Sequence, residues 1–555
     1  MTNQVLIGQR LVAGFPGTAI TPELVQVIRQ YKIGNIILFR ENISDAAQLR
    51  TLCADLTELI RRETGYDPFI MVDQEGGVVT RLSEDCVNVP GAMALASTGD
   101  PGNTYLAGKL TGAELRRLGI NFDLAPSVDV NCNPANPIIG VRSYGDTPST
   151  VVKYATGMIR GLQDGGVLCL AKHFPGHGDT SMDSHLTLPC VDKPRTELEK
   201  MELAPFRAVI DDGVPAIMTA HILFPTLDDS GVPATMSRRI VTDLLRGEMG
   251  FTGLVTSDCM EMQAVQKFFG TVNGVLAAMN AGVDLVLISH TTRLSGEAAA
   301  AAAEALADGR LDRAELEASV ARILAAKAKL AATPAPAFDA AEAAAQNDRL
   351  LRATITEVHV PRAGRPDLGA HPLCVGCPVY RTGLVGNVVD DVAQSFPTMM
   401  AAHLGGEGVT TAVDPTDEEI AALVDRAAGC TGIVIGSYNG HLHPQQLGLA
   451  KALAAVGKPI AAVALRNPYD LFSLPENVYT LVAYEYTARS TAAVADVLRG
   501  HSAAPGRLPI AHPDFANTEA QYCPTGLALT AVVPRPPGSF GGRTIPPTPA
   551  LCSAH

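Results

Sequence analysis

The sequence contains no tryptophan, and aromatic residues make up only 5% of its 555 residues. Any aromatic surface that stacks on a ligand must therefore come from tyrosine, phenylalanine or histidine. Basic residues are also in deficit, because 43 Lys and Arg face 57 Asp and Glu and give a formal net charge of -14. Since phosphate binding calls for a basic surface, this balance argues against a nucleic-acid partner.

Long apolar runs are missing as well. No run of about 18 uncharged apolar residues occurs, so the sequence predicts no membrane span and no membrane partner. The first residues, MTNQVLIGQRLVAGF, lack the basic and then apolar pattern of a secretory signal. The 11 cysteines are scattered, which favours free thiols in a reducing compartment over a disulfide framework. We therefore expect a cytoplasmic protein.

The N-terminal part alternates short apolar runs with amphipathic stretches. The pattern predicts strands at 10–14, 35–39, 69–73, 121–125, 168–173, 216–221, 253–258 and 284–289. It predicts helices at 21–32, 46–64, 104–118, 151–164 and 195–212. Strands that alternate with helices indicate parallel βα units. Eight such units predict an α/β fold whose residues 1–332 form a (β/α)8 TIM-type barrel.

The composition changes after about residue 332. We expect a linker at 333–350 and a smaller three-layer α/β domain at 351–530, with strands at 432–437, 459–465 and 480–484. The Pro- and Gly-rich tail at 531–555 reads as irregular. At 555 residues the chain is long enough for these two domains.

Polar side chains fall where the predicted barrel strands end. In such barrels the chemistry takes place at the carboxyl ends of the strands, so this placement predicts an enzyme. The residues concerned are Asp73, Asp123, Asp129, Lys172, His173, His221 and Asp258. We leave His221 out of the catalytic set, because a core or supporting histidine explains it equally well.

The densest cluster of such residues is KHFPGHGDTSMDSH, from Lys172 to His185. Asp183 and His185 are two residues apart, and a carboxylate close to an imidazole fixes its tautomer and stabilises its protonated form. This pair therefore predicts a general acid/base. A structural polar network and a metal site remain alternatives. The segment has no HExxH pattern, and Lys172 would repel a cation, so we expect no metal and no cofactor.

The stretch KHFPGHGDTSMDSHLTLP resembles the signature of the β-N-acetylglucosaminidase branch of glycoside hydrolase family 3. TSDCMEMQA at 256–264 resembles the nucleophile segment of that family, and MVDQEGG at 71–77 resembles its third-strand motif. NPIIGVRSYG at 136–145 resembles its sugar-binding arginine loop, and APGRLPI at 504–510 resembles the end of its second domain.

This resemblance implies a retaining, exo-acting β-N-acetylhexosaminidase that releases terminal N-acetylglucosamine. It implies that Asp258 is the nucleophile and that His185, oriented by Asp183, is the acid/base. It also implies that the sugar hydroxyls are bound by Asp73, Arg142, Lys172 and His173. In the β-glucosidase branch the acid/base is instead a glutamate from the second domain. A retaining displacement needs one ionised carboxylate and one proton carrier, which these residues would supply.

Several alternatives stay open at this point. The same residues would serve a β-N-acetylglucosaminide phosphorylase, in which phosphate replaces water in the second step. A metal-dependent hydrolase and a non-catalytic sugar-binding protein are alternatives of other classes. The expected partner is a small carbohydrate, which for the leading hypothesis comes from cell-wall fragments (peptidoglycan turnover) or chitin-type oligosaccharides. The second domain either shapes the substrate cleft or mediates dimerisation, and a homodimer remains an open question.

Overall fold

The computed structural model describes residues 1–180, 188–379 and 392–511. Its first sheet is parallel and consists of β1 Leu11–Ala13, β2 Asn35–Leu38, β3 Phe69–Val72, β4 Phe122–Asp123, β5 Leu168–Cys169, β6 Ala171–Phe174, β7 Ala216–Thr219, β8 Leu254–Cys259 and β9 Leu285–Ile288. Nearly all of these residues are buried, as expected for parallel strands that are covered on both faces.

The sheet closes on itself. Neighbouring strands pair in the order β5-β4-β3-β2-β1-β9-β8-β7-β6. Only Leu170 separates β5 from β6, and its N–H donates to the carbonyl of Ala125 at 3.0 Å. The two ends of the sheet are therefore halves of one strand, and the predicted eight-stranded barrel is confirmed.

Helices follow most of the barrel strands and cover the outside of the sheet. They are α1 Asn3–Gln9, α2 Pro22–Tyr31, α3 Ala46–Thr64, α4 Ala92–Ser97, α5 Pro101–Leu118, α6 Pro148–Asp164, α7 Arg195–Lys200, α8 Leu203–Asp211, α9 Gln263–Gln266, α10 Thr271–Ala281, α11 Thr292–Ala307 and α12 Arg313–Ala331. The stretch Arg239–Glu248 is π-helical, and short 3-10 turns span Arg40–Asn42, Gly140–Arg142 and Ala234–Met236.

Local chemistry explains where these helices begin and end. The carboxylate of Asp45 accepts hydrogen bonds from the N–H groups of Ala47 and Gln48 at 2.9 Å and starts α3, which ends at Gly65 with φ of 82°. The single helix predicted at 195–212 is wrong, because two helices occupy this stretch. Pro205, in the first turn of α8, has no N–H to donate to the carbonyl of Met201, so the helical ladder is interrupted at Met201 and Glu202.

The second sheet contains β10 Thr356–His359, β11 Leu373–Gly376, β12 Glu407–Thr410, β13 Ile433–Ser437, β14 Ile460–Ala464 and β15 Tyr479–Val482, paired in the order β10-β15-β14-β13-β11-β12. Only the pairing of β10 with β15 is antiparallel. The helices of this part are α13 Ala340–Thr354, α14 Phe396–Leu404, α15 Asp417–Ala428, α16 Pro444–Ala454 and α17 Ala488–Leu498. Short 3-10 turns span Val392–Gln394, Gly440–Leu442 and Pro468–Ser473.

Two apolar clusters, one with α15 and α16 and the other with α14 and α17, pack on this sheet and give the expected three layers. The predicted strands at 432–437, 459–465 and 480–484 correspond to β13, β14 and β15. The domain bounds remain a prediction. Helix α13 begins at Ala340, inside the stretch 333–350 that was expected to be a linker. The tail 531–555 lies outside the described residues. Within the described ranges, no helix has both the length and the apolar character that a membrane crossing requires.

Candidate active site

The predicted site residues lie at the carboxyl ends of the barrel strands. Asp73 directly follows β3, Lys172 and His173 lie in β6, and Asp258 is the penultimate residue of β8. Because all these strands are parallel, their carboxyl ends meet at one face of the barrel. Arg142 reaches the same place from the loop after β4, where it ends the turn Gly140–Arg142.

A buried network of charges joins three of these side chains to a further residue, Glu75. The ammonium group of Lys172 lies 2.8 Å from Oδ1 of Asp73 and 2.6 Å from Oε1 of Glu75. The guanidinium of Arg142 binds Glu75 with both prongs, Nε to Oε2 at 2.9 Å and Nη2 to Oε1 at 2.7 Å. Such a two-pronged, charge-assisted pair fixes both direction and distance.

The charged groups in this network stabilise the ionised forms of their neighbours. Burial by itself would raise the pKa of Glu75, but Arg142 and Lys172 outweigh it and hold that pKa well below its usual range. Burial likewise opposes the charge on Lys172, while Asp73 and Glu75 raise the pKa of its ammonium group. The site therefore combines the ammonium of Lys172 and the guanidinium of Arg142 with the carboxyl groups of Glu75 and Asp73, a set suited to binding neutral hydroxyl groups.

His173 is held in one tautomer by its two neighbours. Its Nδ1 lies 2.6 Å from Oδ2 of Asp129, and its Nε2 lies 3.3 Å from Nη2 of Arg142. A guanidinium only donates, so Nε2 accepts and Nδ1 carries the proton that is donated to Asp129. Asp129 also accepts from the backbone N–H of His177 at 2.6 Å. Burial raises the pKa of Asp129, but His173 and these hydrogen bonds outweigh it and lower the pKa overall.

Asp258 has the properties of an ionised carboxylate. Burial would raise its pKa, but the neighbouring imidazoles of His221 and His173, the ammonium of Lys172 and the N–H of Cys259 outweigh burial and lower that pKa overall. That N–H donates to Oδ1 of Asp258 at 2.7 Å. The residue as a whole keeps partial exposure at the barrel mouth.

His221 lies beside Asp258 and is buried. Its Nε2 donates to the carbonyl of Cys259 at 3.0 Å, and its Nδ1 makes no hydrogen bond within the described part of the chain. Burial lowers the pKa of His221, although the charge of Asp258 opposes that shift. Through the carbonyl of Cys259, His221 supports the end of β8 next to Asp258.

The structure thus brings Asp73, Arg142, Lys172 and His173 into one network, with Asp258 close enough for Lys172 and His173 to lower its pKa. Their roles toward a substrate stay predictions. Asp183 and His185 lie outside the described residues, so the predicted acid/base pair also stays a prediction.

Sequence reasoning did not assign two residues that the structure places at the centre. Glu75 stands two positions after Asp73 in the DQEGG motif and bridges Lys172 and Arg142. Asp129 orients His173. The available signal for Glu75 was its place in a polar motif directly after a buried strand.

The described residues contain one group of three side chains whose ligand atoms converge as a metal would require, namely Cys132, Asp179 and Glu202. The ammonium of Lys193 lies 2.7 Å from Asp179 and 2.6 Å from Glu202, so both carboxyl groups already have a cationic partner. Burial raises the pKa of the Cys132 thiol to about 11, which disfavours the thiolate that a metal prefers. This group fits a salt bridge better than a metal centre.

Known proteins resemble this chain in sequence. The model of the glycosyl hydrolase family 3 N terminal domain matches residues 5–326. A β-hexosaminidase A from Pseudoalteromonas piscicida is 39% identical over 336 residues, which is 56% of this chain and 56% of that relative. A β-hexosaminidase from Alkalilimnicola ehrlichii is 36% identical over 286 residues, covering 50% of this chain and 80% of that protein. The chain thus spans only about half the length of the first of these relatives.

Similarity extends over both domains in a solved structure. A glycoside hydrolase family 3 β-N-acetylglucosaminidase from Paenibacillus sp. str. FPU-7 superposes with a TM-score of 0.85 at 37% identity. The match covers 92% of this chain and 99% of that one. The barrel followed by a smaller α/β domain is therefore an arrangement that this chain shares with a protein of known structure.

Proposed function

Since this chain belongs to glycosyl hydrolase family 3, we propose that it is a retaining, exo-acting β-N-acetylhexosaminidase that releases terminal N-acetylglucosamine. The observation that carries the proposal is the ionised Asp258 beside a buried network of Lys172, Arg142 and Glu75. The relatives named β-hexosaminidase and β-N-acetylglucosaminidase support the sugar specificity.

The first half of the proposed reaction forms a covalent intermediate. A carboxylate oxygen of Asp258 attacks the anomeric carbon, and the bond from that carbon to the leaving oxygen breaks. His185, oriented by Asp183, gives its proton to the leaving oxygen in the same step. Asp258 needs to be ionised for this attack, which agrees with its lowered pKa.

In the second half, His185 takes a proton from water, the water oxygen attacks the anomeric carbon, and the bond to Asp258 breaks. Two displacements on the same carbon return it to its original configuration. Asp73, Arg142, Lys172 and His173 hold the sugar hydroxyls throughout, so the anomeric carbon stays in line with Asp258. The substrate class that fits is cell-wall fragments or chitin-type oligosaccharides with a terminal β-linked N-acetylglucosamine.

The test uses p-nitrophenyl N-acetyl-β-glucosaminide and the corresponding glucoside. Wild type should cleave the first and leave the second nearly untouched. Asp258→Ala should lose at least about 10³-fold in kcat, and His185→Ala about 10² to 10⁴-fold. Asp55→Ala, an exposed carboxylate on α3, is the matched control and should behave as wild type. Full activity of Asp258→Ala, or no turnover of either substrate by wild type, would overturn the proposal.

The same assay with and without inorganic phosphate separates hydrolysis from phosphorolysis. Release of free N-acetylglucosamine at an unchanged rate supports water as the second nucleophile. A phosphate-dependent rate together with a sugar 1-phosphate product would make the enzyme a phosphorylase that uses the same residues.

A further inference from the structure

The loop that carries Arg142 lies between the barrel and the second domain. Near its start, the amide of Asn131 donates to the hydroxyl of Tyr469 at 2.7 Å. Near its end, Oδ2 of Asp146 accepts from the N–H of Ala511 at 2.8 Å. Both partners belong to the part of the chain that follows the barrel, so the loop is fastened at two points to the second domain.

The middle of this loop touches the second domain most closely. Gly140 begins the turn Gly140–Arg142 and has a φ of 46°, a left-handed conformation that glycine adopts easily. A β-carbon at Gly140 would lie only 2.3 Å from Oδ1 of Asn467. Asn467 is buried, and its amide donates to Oδ1 of Asn439 at 2.9 Å. A fixed side chain of the second domain therefore packs on the backbone two residues before Arg142.

Apolar and polar contacts extend this junction to the Glu75 loop. Val141 belongs to the same apolar cluster as Leu471 and Tyr484 of the second domain. A small cavity between the domains is lined by Glu75, Val141, Arg142 and Tyr484, among others. The second domain therefore reaches both members of the Arg142–Glu75 pair.

We propose that the second domain positions Arg142 for the sugar, with Asn467 and Tyr469 as the positioning residues that act through the Asn131–Asp146 loop. This inference rests on the proposed function, because it takes Arg142 as a ligand of the substrate. A binding group on a loop is only as well placed as the residues that support the loop. Here that support comes from the second domain, which contributes positioning without a catalytic residue.

The contact between Gly140 and Asn467 can be tested by a double-mutant cycle. Gly140→Ala places a methyl group against the Asn467 amide, whereas Asn467→Ala removes that amide. We expect Gly140→Ala to raise KM for p-nitrophenyl N-acetyl-β-glucosaminide, and the dissociation constant of N-acetylglucosamine, about tenfold or more, since a charge-assisted hydrogen bond is displaced. We expect kcat to change much less. In the Asn467→Ala background the added effect of Gly140→Ala should shrink to about twofold.

Two further variants complete the design. Gly213→Ala introduces the same left-handed strain at φ of 86° with no atom near the added methyl, and it should keep the wild-type KM. Tyr469→Phe removes only the hydroxyl that accepts from Asn131 and should raise KM several-fold. Tyr469→Phe and Asn467→Ala keep the test decisive if Gly140→Ala fails to fold.

The inference is overturned if Asn467→Ala and Tyr469→Phe keep the wild-type KM and the wild-type dissociation constant of N-acetylglucosamine. Additive effects in the cycle would equally count against it. If wild type binds N-acetylglucosamine but does not cleave the glycoside, the proposed function fails, while the dissociation constants still decide the positioning role. If wild type neither binds nor cleaves, both proposals fall.

Discussion

Replacing Glu75 by glutamine tests the buried charge network directly. Glu75 binds the guanidinium of Arg142 with both oxygens and also accepts from Lys172. The substitution Glu75→Gln keeps the size of the side chain but removes its charge and one of its two acceptor oxygens. Lys172 then keeps Asp73 as its carboxylate partner. Arg142 loses the carboxylate that accepted from its Nε–H and Nη2–H groups.

The structure sets the scale of the effect. The side chains of Lys172, Arg142 and Glu75 are 2%, 4% and 6% exposed, so water cannot replace the lost charge. Leaving a buried ion without its partner costs about 3–5 kcal/mol. At about 1–2 °C per kcal/mol for a domain of this size, the unfolding midpoint should fall by about 3–10 °C. Arg142 and Lys172 also lose their fixed orientation, so kcat/KM should fall at least about tenfold.

Differential scanning fluorimetry and steady-state kinetics on the same preparations measure both effects. The matched control is Glu317→Gln, which breaks an exposed pair with Arg313 at 2.9 Å and should move the midpoint by less than about 1 °C. The reasoning would be refuted if Glu75→Gln were as stable as the control. In that case Glu75 would not be needed to balance the buried positive charges of Lys172 and Arg142.

Two other predictions follow from buried ionisable groups. Burial raises the pKa of Asp123 well above its usual range, whereas the histidine partner of Asp129 lowers the pKa of that carboxyl and keeps it ionised. Asp123→Asn should therefore keep wild-type kinetics, and Asp129→Asn should lose at least about tenfold in kcat/KM. Equal losses of kcat/KM in both variants would contradict this prediction. Burial lowers the pKa of Lys327 to about 7 in the folded protein, below its unfolded value of about 10.4. Between pH 7 and about pH 10 the unfolded state therefore binds more protons than the folded state, so the free energy of unfolding should rise with pH across that window. Unfolding midpoints measured from pH 7 to 9 should rise in wild type and rise less in Lys327→Met. If the midpoints of the two proteins change equally with pH, Lys327 does not cause the rise.

The barrel could be predicted from the sequence because its strands are buried on both faces. Each strand is therefore a short, continuous apolar run between polar loops, as in β3 Phe69–Val72 and β9 Leu285–Ile288. The polar residues that end these runs lie together for the same topological reason.

Three strands of the second domain were missed. The interior strand β11 Leu373–Gly376 is buried but only four residues long, and the two edge strands carry a weaker signal. β12 Glu407–Thr410 is an edge strand that is only partly buried, and β10 Thr356–His359 alternates buried and half-buried residues at the other edge. Neither forms an apolar run. The break between α7 and α8 was missed because the apolar period continues across Met201 and Glu202 into α8.

Local sequence pattern also predicts only part of the active site. Asp73, Lys172 and Asp258 could be found from their position after apolar strands, but the partners that orient the site are distant in sequence. Glu75 meets Arg142 across 67 positions, and Asp129 meets His173 across 44. Which of several polar residues turns inward at such a junction depends on the assembled loops and not on local pattern.

The central claim is that Asp258 forms the covalent intermediate, and trapping that intermediate tests it most directly. A 5-fluoro analogue of N-acetylglucosaminyl fluoride slows the second displacement, so the glycosyl-enzyme should accumulate and be visible as an intact mass increase of one sugar residue per chain. After proteolysis, the account predicts that the label lies on the peptide containing Asp258 and is absent from Asp258→Ala. A label on another residue, or an adduct that persists in Asp258→Ala, would contradict the account.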